Sequence, residues 1–403
     1  MVERTGTRRR VCIAYPFFPH YRGPVLEALL RRGRHGYTLV ADRRSAEPSI
    51  KGWEVPEGVD WVDAPVWRHG RRWRAYVQPG LVRAGLSRRY DTLVIHSGVW
   101  WPTTWLCAIA GRLTGKRVVS WGHGWTRREG GVRGLVRRVY YRLYHAHMTY
   151  GHFGKVVFME TGWRPEGVHV IYNSLDYAAQ KAARETVRPG ELEELKRRVM
   201  GGVERPVAVC TTRLVPYRRL DQLIEAAAAL GGGGRPVDVL LVGDGPEKER
   251  LAALAAERGV RCVFYGACYD EGVLSRLIMM SDVMVIPGAA GLAVMHAHAY
   301  GTPVVTHDDV EAHGPEFEGL VPGVNGGVFR KGDVEGLADA VAAWTGGGAR
   351  TEEARRRCWS IVERFWNAEF QRCAIERAID GEPADDLWWM KPGAEGNPAM
   401  KVE

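Results

Sequence analysis

The sequence predicts an α/β protein built from two Rossmann-like domains. Short apolar runs with the character of buried parallel strands are each followed by a loop and a helix-compatible segment, as at residues 11–14, 207–210 and 283–286. The chain has 403 residues, which exceeds what one core usually holds but suits two α/β domains of ordinary size.

The strongest chemical signal lies in residues 287–305. A loop of small residues follows the third strand-like run, a helix is predicted over residues 292–300, and Gly301 ends it. Free backbone N–H groups and the positive end of a helix dipole would then face one point, which favours phosphate. The same pattern also occurs as a tight turn in any doubly wound domain. The residues of this loop are Gly288, Ala289, Ala290, Gly291 and Leu292.

Two arginines follow the strand-like run at 207–210. Arg213 comes just after the run, and Arg218 lies five residues further on, near the start of a helix. A guanidinium group stays charged and binds phosphate oxygens with a planar fork, so the pair can clamp a diphosphate from two sides. Arg219 is interpreted as a solvated surface residue.

Three motifs then give the chain a family resemblance. They are Thr-Arg-Leu-Val-Pro-Tyr-Arg at 212–218, Val-Gly-Asp-Gly-Pro at 242–246, and Gly-Leu with His-Ala and Tyr-Gly-Thr-Pro-Val-Val within 291–305. In this order and at these intervals the chain resembles the donor half of the family-4 retaining glycosyltransferases, which use nucleoside-diphosphate sugars. The resemblance is strongest over about residues 205–345 and weaker in the N-terminal half.

The resemblance implies the GT-B fold, in which two Rossmann-like domains with parallel sheets face an interdomain cleft and a C-terminal helix crosses back. The expected parts are an N-terminal acceptor-binding domain (1–177), a linker (178–204), a C-terminal nucleotide-sugar-binding domain (205–345), a crossover helix (346–380) and a mobile tail (381–403).

The resemblance also assigns the donor site. Arg213 and Arg218 match the family's arginine and lysine on the donor diphosphate, and the loop 288–292 would bind the donor through its backbone. The two glutamates usual in the family fall at Gly288 and His296, which indicates a subgroup without this motif. His296 can still bond a ribose hydroxyl, or it is a capped or core histidine. Glu316 matches a recurrent family position just past the donor loop.

Polar and aromatic loops follow the strands predicted in the first half. Because ligands bind beyond the carboxyl ends of parallel strands, we expect three histidines of these loops to converge on the cleft: His20, His96 and His123. His123 matches the family's cleft histidine near the donor sugar and is expected to be catalytic with Arg213 and Arg218. Roles in loop packing are the alternative for His20 and His96. The expected acceptor-binding residues are His20, Tyr21, Arg22, His96 and Trp121.

Charge is unevenly distributed. Residues 1–176 contain 29 lysines and arginines against 13 aspartates and glutamates, a net +16; the remainder has 27 against 34, a net −7, which returns the total of +9. Apolar residues from Val132 to Leu143 recur at helical spacing with arginines between them. Such a helix suits an anionic membrane surface or a phosphorylated lipid, or it is a surface helix with solvated arginines. Nucleic acid is not expected as a partner, because no recognition motif accompanies the charge.

Several features bear on compartment and cofactors. The longest apolar stretches are too short to span a bilayer, a signal peptide is not expected, and the seven cysteines are scattered without Cys-x-x-Cys spacing. We expect a cytoplasmic protein, with peripheral attachment to the inner face of the cell membrane as an option. No Asp-x-Asp signature is present, so neither a metal nor a cofactor is expected beyond the nucleotide sugar, which is a co-substrate.

The sequence therefore predicts a retaining hexosyltransferase. It would move a sugar from a nucleoside-diphosphate sugar, with a UDP-sugar favoured, to a hydroxyl of a polysaccharide, a glycolipid or lipid phosphate, or a natural product. Two alternatives share the architecture, a sugar-nucleotide 2-epimerase and a non-catalytic sugar-nucleotide-binding protein. A basic adaptor that binds no nucleotide is a third.

Overall fold

The computed structural model of the protein describes residues 8–44, 50–69, 75–125, 128–346 and 351–384. These residues form two compact units, one with residues 8–176 and 367–384 and the other with residues 177–366. The predicted tail lies outside the described residues from position 385 onward.

The first unit is a parallel sheet covered by helices. Its strands are β1 (Arg10–Ala14), β2 (Gly36–Ala41), β3 (Trp61–Asp63), β4 (Trp67–His69), β5 (Ala75–Val77), β6 (Thr92–His96), β7 (Arg117–Gly122), β8 (Ala146–Thr149) and β9 (Val168–Val170). Its helices before the second unit are α1 (Gly23–Arg32), α2 (Pro79–Leu86), α3 (Pro102–Leu113), α4 (Gly131–Tyr141) and α5 (His152–Glu160).

Seven of these strands pair in the order β3-β2-β1-β6-β7-β8-β9, all in parallel, and β4 and β5 form a separate antiparallel pair. Burial of both sheet faces explains the continuous apolar runs, since β1 is buried at every residue after Arg10. The order reverses direction between β1 and β6, which places the loops after these two strands at the switch point of the sheet.

The second unit is a second parallel sheet. Its elements in chain order are α6 (Tyr177–Glu185), α7 (Glu191–Met200), β10 (Val207–Thr211), α8 (Leu220–Gly232), β11 (Asp238–Val242), α9 (Lys248–Glu257), β12 (Cys262–Gly266), α10 (Glu271–Met279), β13 (Val283–Ile286), α11 (Ala293–Ala299), β14 (Val304–His307), β15 (Gly326–Phe329), α12 (Val334–Thr345) and α13 (Glu352–Arg364). The strand order is β12-β11-β10-β13-β14-β15. Within this unit that is the 3-2-1-4-5-6 order of a Rossmann fold, so the prediction of two Rossmann-like sheets is confirmed.

The predicted linker contains two helices that belong to the second unit. On α6, Arg184 donates to the carbonyl oxygen of Ala299 at 2.7 Å and lies over the ring of Trp359, 4.0 Å from its centroid. On α7, Glu191 forms an ion pair with the guanidinium of Arg276 from α10. These contacts attach residues 177–200 to the second sheet's helices.

The predicted return of the chain to the first unit is confirmed, but the prediction of one continuous helix over 346–380 is wrong. The structure has α13 in the second unit and a separate helix, α14 (Ala368–Asp380), in the first. The break follows from capping, because the Asn367 side chain accepts a hydrogen bond from the N–H of Phe370 at 2.9 Å and so begins a new helix. In the first unit, Ile375 and Ile379 are fully buried in its core, and Gln371 donates to the carbonyl oxygen of Tyr172 at 2.7 Å.

Two further findings concern the chain as a whole. No helix among the described residues is long and apolar enough to cross a bilayer. All seven cysteines are free thiols.

Buried histidines make the fold sensitive to acid. Burial lowers the pKa of His147, His152 and His169 to about 3 and that of His298 to about 4. In the unfolded chain these groups take up protons near pH 6.5, whereas the native state leaves them neutral. The contribution of these four neutral histidines to the free energy of unfolding is fully present above pH 6.5. It is lost as the pH falls toward their pKa values in the folded protein.

We therefore predict that the urea midpoint falls steeply between pH 6.5 and pH 4. His298→Gln is the matched variant, because a glutamine amide can replace the bond from His298 Nε2 to the carbonyl oxygen of Asn325 without titrating. Its midpoint should depend less on pH than that of the parent protein. A parent midpoint that stays constant over this range would contradict the prediction.

Candidate functional site

Three loops meet at the carboxyl ends of β10, β11 and β13. β10 is paired with both of the other strands, and the loops approach one another through bare backbone. A methyl group added at Gly243 would lie 1.8 Å from the carbonyl oxygen of Thr212, and one at Gly245 would lie 2.2 Å from that of Leu214. The N–H of Leu214 donates to the carbonyl oxygen of Asp244 at 2.9 Å. The glycines of the Gly-Asp-Gly motif are thus required by packing between loops.

Gly288 is required in the same way. A Cβ atom there would lie 2.6 Å from the carbonyl oxygen of Tyr217 and 2.9 Å from the Cα of Arg218. Because backbone atoms cannot move aside as a flexible side chain can, no other residue fits this position without displacing the turn at residues 216–218. The glutamate of the family motif is therefore excluded here by the close approach of two loops.

Arg218 is held against the small-residue loop. It is half-buried, its Nη1 donates to the carbonyl oxygen of Ala289 at 2.6 Å, and its Nε is buried without a hydrogen-bond partner. Arg213 is exposed just past the end of β10, and its guanidinium makes no hydrogen bond or ion pair with any described residue. Arg219 is exposed and pairs with Asp221 at 3.6 Å. Two cationic groups with unused N–H donors therefore lie on the loop that follows β10.

The loop itself offers open amides. The N–H groups of Ala289, Gly291 and Leu292 have no acceptor among the described residues, whereas the N–H of Ala290 donates to Nδ1 of His313 at 2.9 Å. The helix after the loop, α11, begins at Ala293 and is seven residues long. Leu292 is its N-terminal flanking residue.

His313 is a site residue that the sequence analysis missed. Its ring stacks on His307 with centroids 4.0 Å apart and on Phe317 at 4.5 Å, and its Nε2 donates to the carbonyl oxygen of His307 at 2.8 Å. Burial lowers the pKa of His313 to about 4, with the nearby His307 adding to the effect. The neutral ring can therefore accept from Ala290, which fixes the loop. A lone histidine before Gly-Pro carries no pattern that would have indicated this contact.

Glu316 lies beside the loop, as its family position suggested. The residue is buried, and its Oε2 is 4.0 Å from the position that a Cβ at Gly291 would occupy and 2.7 Å from the corresponding position at Gly314. The N–H of Gly314 donates to the carbonyl oxygen of Ala290 at 2.7 Å. A carboxylate is thus present next to the loop although position 288 is a glycine.

His296 is engaged by a carboxylate from α10. Its Nε2 lies 2.8 Å from Oε1 of Glu271, and the same oxygen accepts a hydrogen bond from the hydroxyl of Tyr300. Burial alone would raise the pKa of Glu271, but the bonds from His296, Tyr300 and Gln180 outweigh it and lower that pKa. The histidine is therefore neither a buried core residue nor free. Glu271 was not identified from the sequence, because its partner lies 25 residues away.

In the first unit, four predicted residues come together. Arg22 lies over the rings of Tyr15, Trp121 and Tyr150, at 5.1, 5.3 and 4.9 Å from their centroids. The His96 ring is 4.8 Å from that of Tyr15, and the His123 ring is 4.9 Å from that of Tyr150. The cluster therefore lies at the carboxyl ends of β1, β6, β7 and β8.

Both histidines of this cluster are neutral. Burial lowers the pKa of His96 to about 3, and the positive charge of Arg22 lowers it further. His123 is exposed as a residue, but partial removal of water from its ring, together with the charge of Arg22, lowers its pKa to about 4. Trp121 is fully buried, so it contacts Arg22 and Tyr15 and presents no open face to a sugar.

The other two predicted acceptor residues lie at the edge of the cluster. Tyr21 is next to Arg22, with its ring centroid 5.9 Å from Cζ. His20 is exposed, and its Nδ1 is 3.2 Å from the carbonyl oxygen of Lys51. Tyr15 and Tyr150, whose hydroxyl groups are 3.0 Å apart, were missed although each directly follows a strand.

Comparisons with known proteins match part of this chain to glycosyltransferases. Residues 193–358 match the family model described as Glycosyl transferases group 1. Over 174 residues the chain is 29% identical to a GDP-mannose-dependent alpha-(1-6)-phosphatidylinositol monomannoside mannosyltransferase of Mycolicibacterium smegmatis, covering 40% of this chain and 43% of the relative. Over 161 residues it is 29% identical to a 2-deoxystreptamine glucosyltransferase of Streptomyces kanamyceticus, covering 38% and 39%. The chain thus matches less than half the length of these relatives.

Solved structures extend the likeness to the whole fold. Anabaena HepE in complex with UDP has a TM-score of 0.67 at 18% identity, and the lipopolysaccharide outer core galactosyltransferase WaaB has 0.66 at 14%. Each likeness covers 92% of this chain and 99% of the other. The protein therefore has the GT-B fold, and most of its second unit lies in the region that matches the group 1 glycosyltransferase model. The family-4 subgroup without two glutamates stays a prediction.

The contact at Gly288 generates a stability prediction. Gly288→Ala should lower the free energy of unfolding by about 1–3 kcal/mol, because the added methyl group overpacks a backbone contact. Gly231→Ala is the control, since a Cβ there meets nothing within 4 Å and lies in α8, and it should be neutral or slightly stabilising. Urea denaturation of both variants measures the difference. Equal stability of the two would contradict the packing argument.

Proposed function

We propose that this protein is a glycosyltransferase that moves a sugar from a nucleoside-diphosphate sugar to a hydroxyl group of an acceptor. The observation that carries the proposal is the loop pair at the switch point of the second sheet. There Arg218 is fixed to the carbonyl oxygen of Ala289, the guanidinium of Arg213 has no partner among the described residues, and three loop amides are open. The family match over residues 193–358 includes all of these residues.

The chemistry follows from charge. Departure of the nucleoside diphosphate builds negative charge, which Arg213, Arg218 and the amides of Ala289 and Gly291 would stabilise. The acceptor hydroxyl would attack from the face that the diphosphate leaves, and its proton would pass to the leaving phosphate, with retention at the anomeric carbon. No metal ion or cofactor is required by this scheme.

The remaining site residues would position the sugar. Glu316, beside Gly291, can accept a hydrogen bond from a sugar hydroxyl, and His296 with Glu271 can do the same for the ribose. His123, as a neutral imidazole, can donate or accept one bond to the transferred sugar. HepE was solved with UDP, which favours a UDP-sugar donor, whereas the mannosyltransferase relatives are named for GDP-mannose.

The acceptor would be bound by the first unit. Its net charge of +16 over residues 1–176 suits an anionic acceptor such as a lipid phosphate, and a polysaccharide or natural product remains within the proposal. On α4, Val132 and Leu135 are 77% and 60% exposed and alternate with arginines. This supports a peripheral association with the inner face of the cell membrane.

Loss of either arginine should weaken donor binding. Arg213→Ala and Arg218→Ala should each reduce the affinity for UDP by about 10- to 100-fold, as expected for one lost charged contact of about 1.5–3 kcal/mol. Isothermal titration calorimetry measures the affinity. Arg258→Ala is the control, because Arg258 pairs with Glu225 on the helical surface of the same unit and should leave UDP binding unchanged. Parent affinity in both test variants would refute the clamp.

His123→Ala separates catalysis from binding. We expect kcat to fall by at least tenfold while the affinity for the donor changes little, because the imidazole would contact the transferred sugar and not the diphosphate. Steady-state kinetics with acceptor, together with product analysis on donor alone, measure both. Release of free sugar and nucleotide without acceptor would favour the 2-epimerase instead, and a fully active variant would remove His123 from the site.

A further inference from the structure

Arg22 is a buried cation without a counter-ion. Only 6% of the residue is exposed, and it forms no ion pair with any described residue. The one hydrogen bond of its side chain to the described residues runs from Nη2 to the hydroxyl of Tyr150, while Nε and Nη1 are buried with no partner. These two nitrogens carry three N–H bonds that lack an acceptor.

Such a group is costly for a fold to keep. Burying an unpaired charge opposes folding, and buried arginines normally have a carboxylate or carbonyl partner. Arg184 of the second unit illustrates the usual solution, since it is buried to a similar degree and donates to the carbonyl oxygen of Ala299. The aromatic rings around Arg22 offset part of the cost through cation–π contacts, but they supply no acceptor for its unused N–H bonds.

Other nitrogens close to Arg22 also lack a hydrogen-bond partner. The indole Nε1 of Trp121, a donor only, is buried without a partner, as is Nδ1 of His96. Arg22 lies in the turn between β1 and α1, and His96 ends β6. These are the two loops at the switch point of the first sheet, where parallel sheets bind ligands. The unpartnered donors of the Arg22 guanidinium and the Trp121 indole at this position are complementary to an anion.

We propose that Arg22 binds a phosphate or carboxylate group of a substrate, which makes it a second anion site in addition to the diphosphate site at Arg213 and Arg218. The inference rests on the proposed function for the identity of the substrate, but not for the binding of the anion. The anionic group can belong to the acceptor or to an acidic sugar on the donor. In either case the planar guanidinium would bind two oxygen atoms of the group at once.

The first experiment measures anion binding without the diphosphate site. In full-length protein carrying Arg213→Ala and Arg218→Ala, calorimetry compares glucose 6-phosphate with glucose, and Arg22→Met is then added. We expect the sugar phosphate to bind at least about tenfold more tightly than glucose, and Arg22→Met to abolish this preference. Arg43→Met is the control, because Arg43 lies over the ring of Trp61, 5.4 Å from its centroid, in the same unit. It should leave the preference unchanged.

Thermal unfolding separates a binding role from a structural one. If Arg22 serves a ligand, Arg22→Met should melt at or above the parent temperature, because a buried unpaired charge has been removed. In the background that carries Arg213→Ala and Arg218→Ala, phosphate should raise the melting temperature, and adding Arg22→Met should abolish that increase. A variant that melts several degrees lower and binds the sugar phosphate as its parent does would overturn the proposal. Should Arg22→Met not fold, Arg22→Lys keeps the charge and loses the fork, and unchanged affinity in that variant would also overturn it.

The source of the anion is decided in otherwise unaltered protein. If the group belongs to the donor, Arg22→Met should weaken binding of UDP-glucuronic acid and not of UDP-glucose. If it belongs to the acceptor, both donors should bind as in the parent while transfer to a phosphorylated acceptor falls. Failure of both UDP and GDP to bind the parent would refute the proposed function and leave the measurement on glucose 6-phosphate intact.

Discussion

The site of the second unit depends on the contact between two backbones, at Gly288 and at the turn of residues 216–218. A Cβ at Gly288 would lie within 3 Å of Tyr217 and Arg218 backbone atoms, so the two loops can meet only where this side chain is missing. Their contact brings the Arg218 guanidinium to the carbonyl oxygen of Ala289. Because β10 and β13 are adjacent at the reversal of strand order, the contact also sets where the open amides lie relative to a cationic side chain. Gly288 stands where the family motif has a glutamate, but in this fold the glycine is what allows the two loops of the site to meet.

Carboxylates reach the same region from elsewhere in the chain. Glu316 comes from the turn after β14 and lies beside Gly291, while Glu271 comes from α10 and bonds His296. A glutamate at position 288 or 296 would have brought its charge from the loop or from α11. Here the charge comes from other elements, and the loop keeps only backbone groups and small side chains. The motif alone therefore does not predict how many acidic groups lie near the loop.

The sequence was sufficient for the parts that depend on local pattern. Apolar runs ending in small-residue loops predicted β10, β13 and the loop at 288–292, and the spacing of Arg213 and Arg218 placed both arginines after β10. The sequence did not predict contacts between residues far apart along the chain, such as that of His313 with Ala290 or that of Tyr150 with Arg22. The start of a new helix at α14 could have been predicted, because Asn367 is a favourable N-cap. The helical pattern on both sides of Asn367 instead favoured one continuous helix. The close approach at Gly288 could not be found from one sequence, since it requires both backbones.

The two units differ in the hydrogen-bond acceptors that they provide for a buried guanidinium. In the second unit the buried Arg184 has a carbonyl acceptor, so the fold itself balances part of its polarity. The half-buried Arg218 also has one, although its Nε lacks a partner. In the first unit Arg22 has aromatic faces and one tyrosine hydroxyl, and two of its nitrogens have nothing to bond. Proteins retain such a residue against its cost to stability chiefly where function requires it. The neutral state of His96 and His123 sharpens the contrast, because the charge of the cluster then rests on Arg22. A site arranged in this way distinguishes ligands by charge before shape, since a neutral group would leave the guanidinium as unbalanced as it is in the unbound protein.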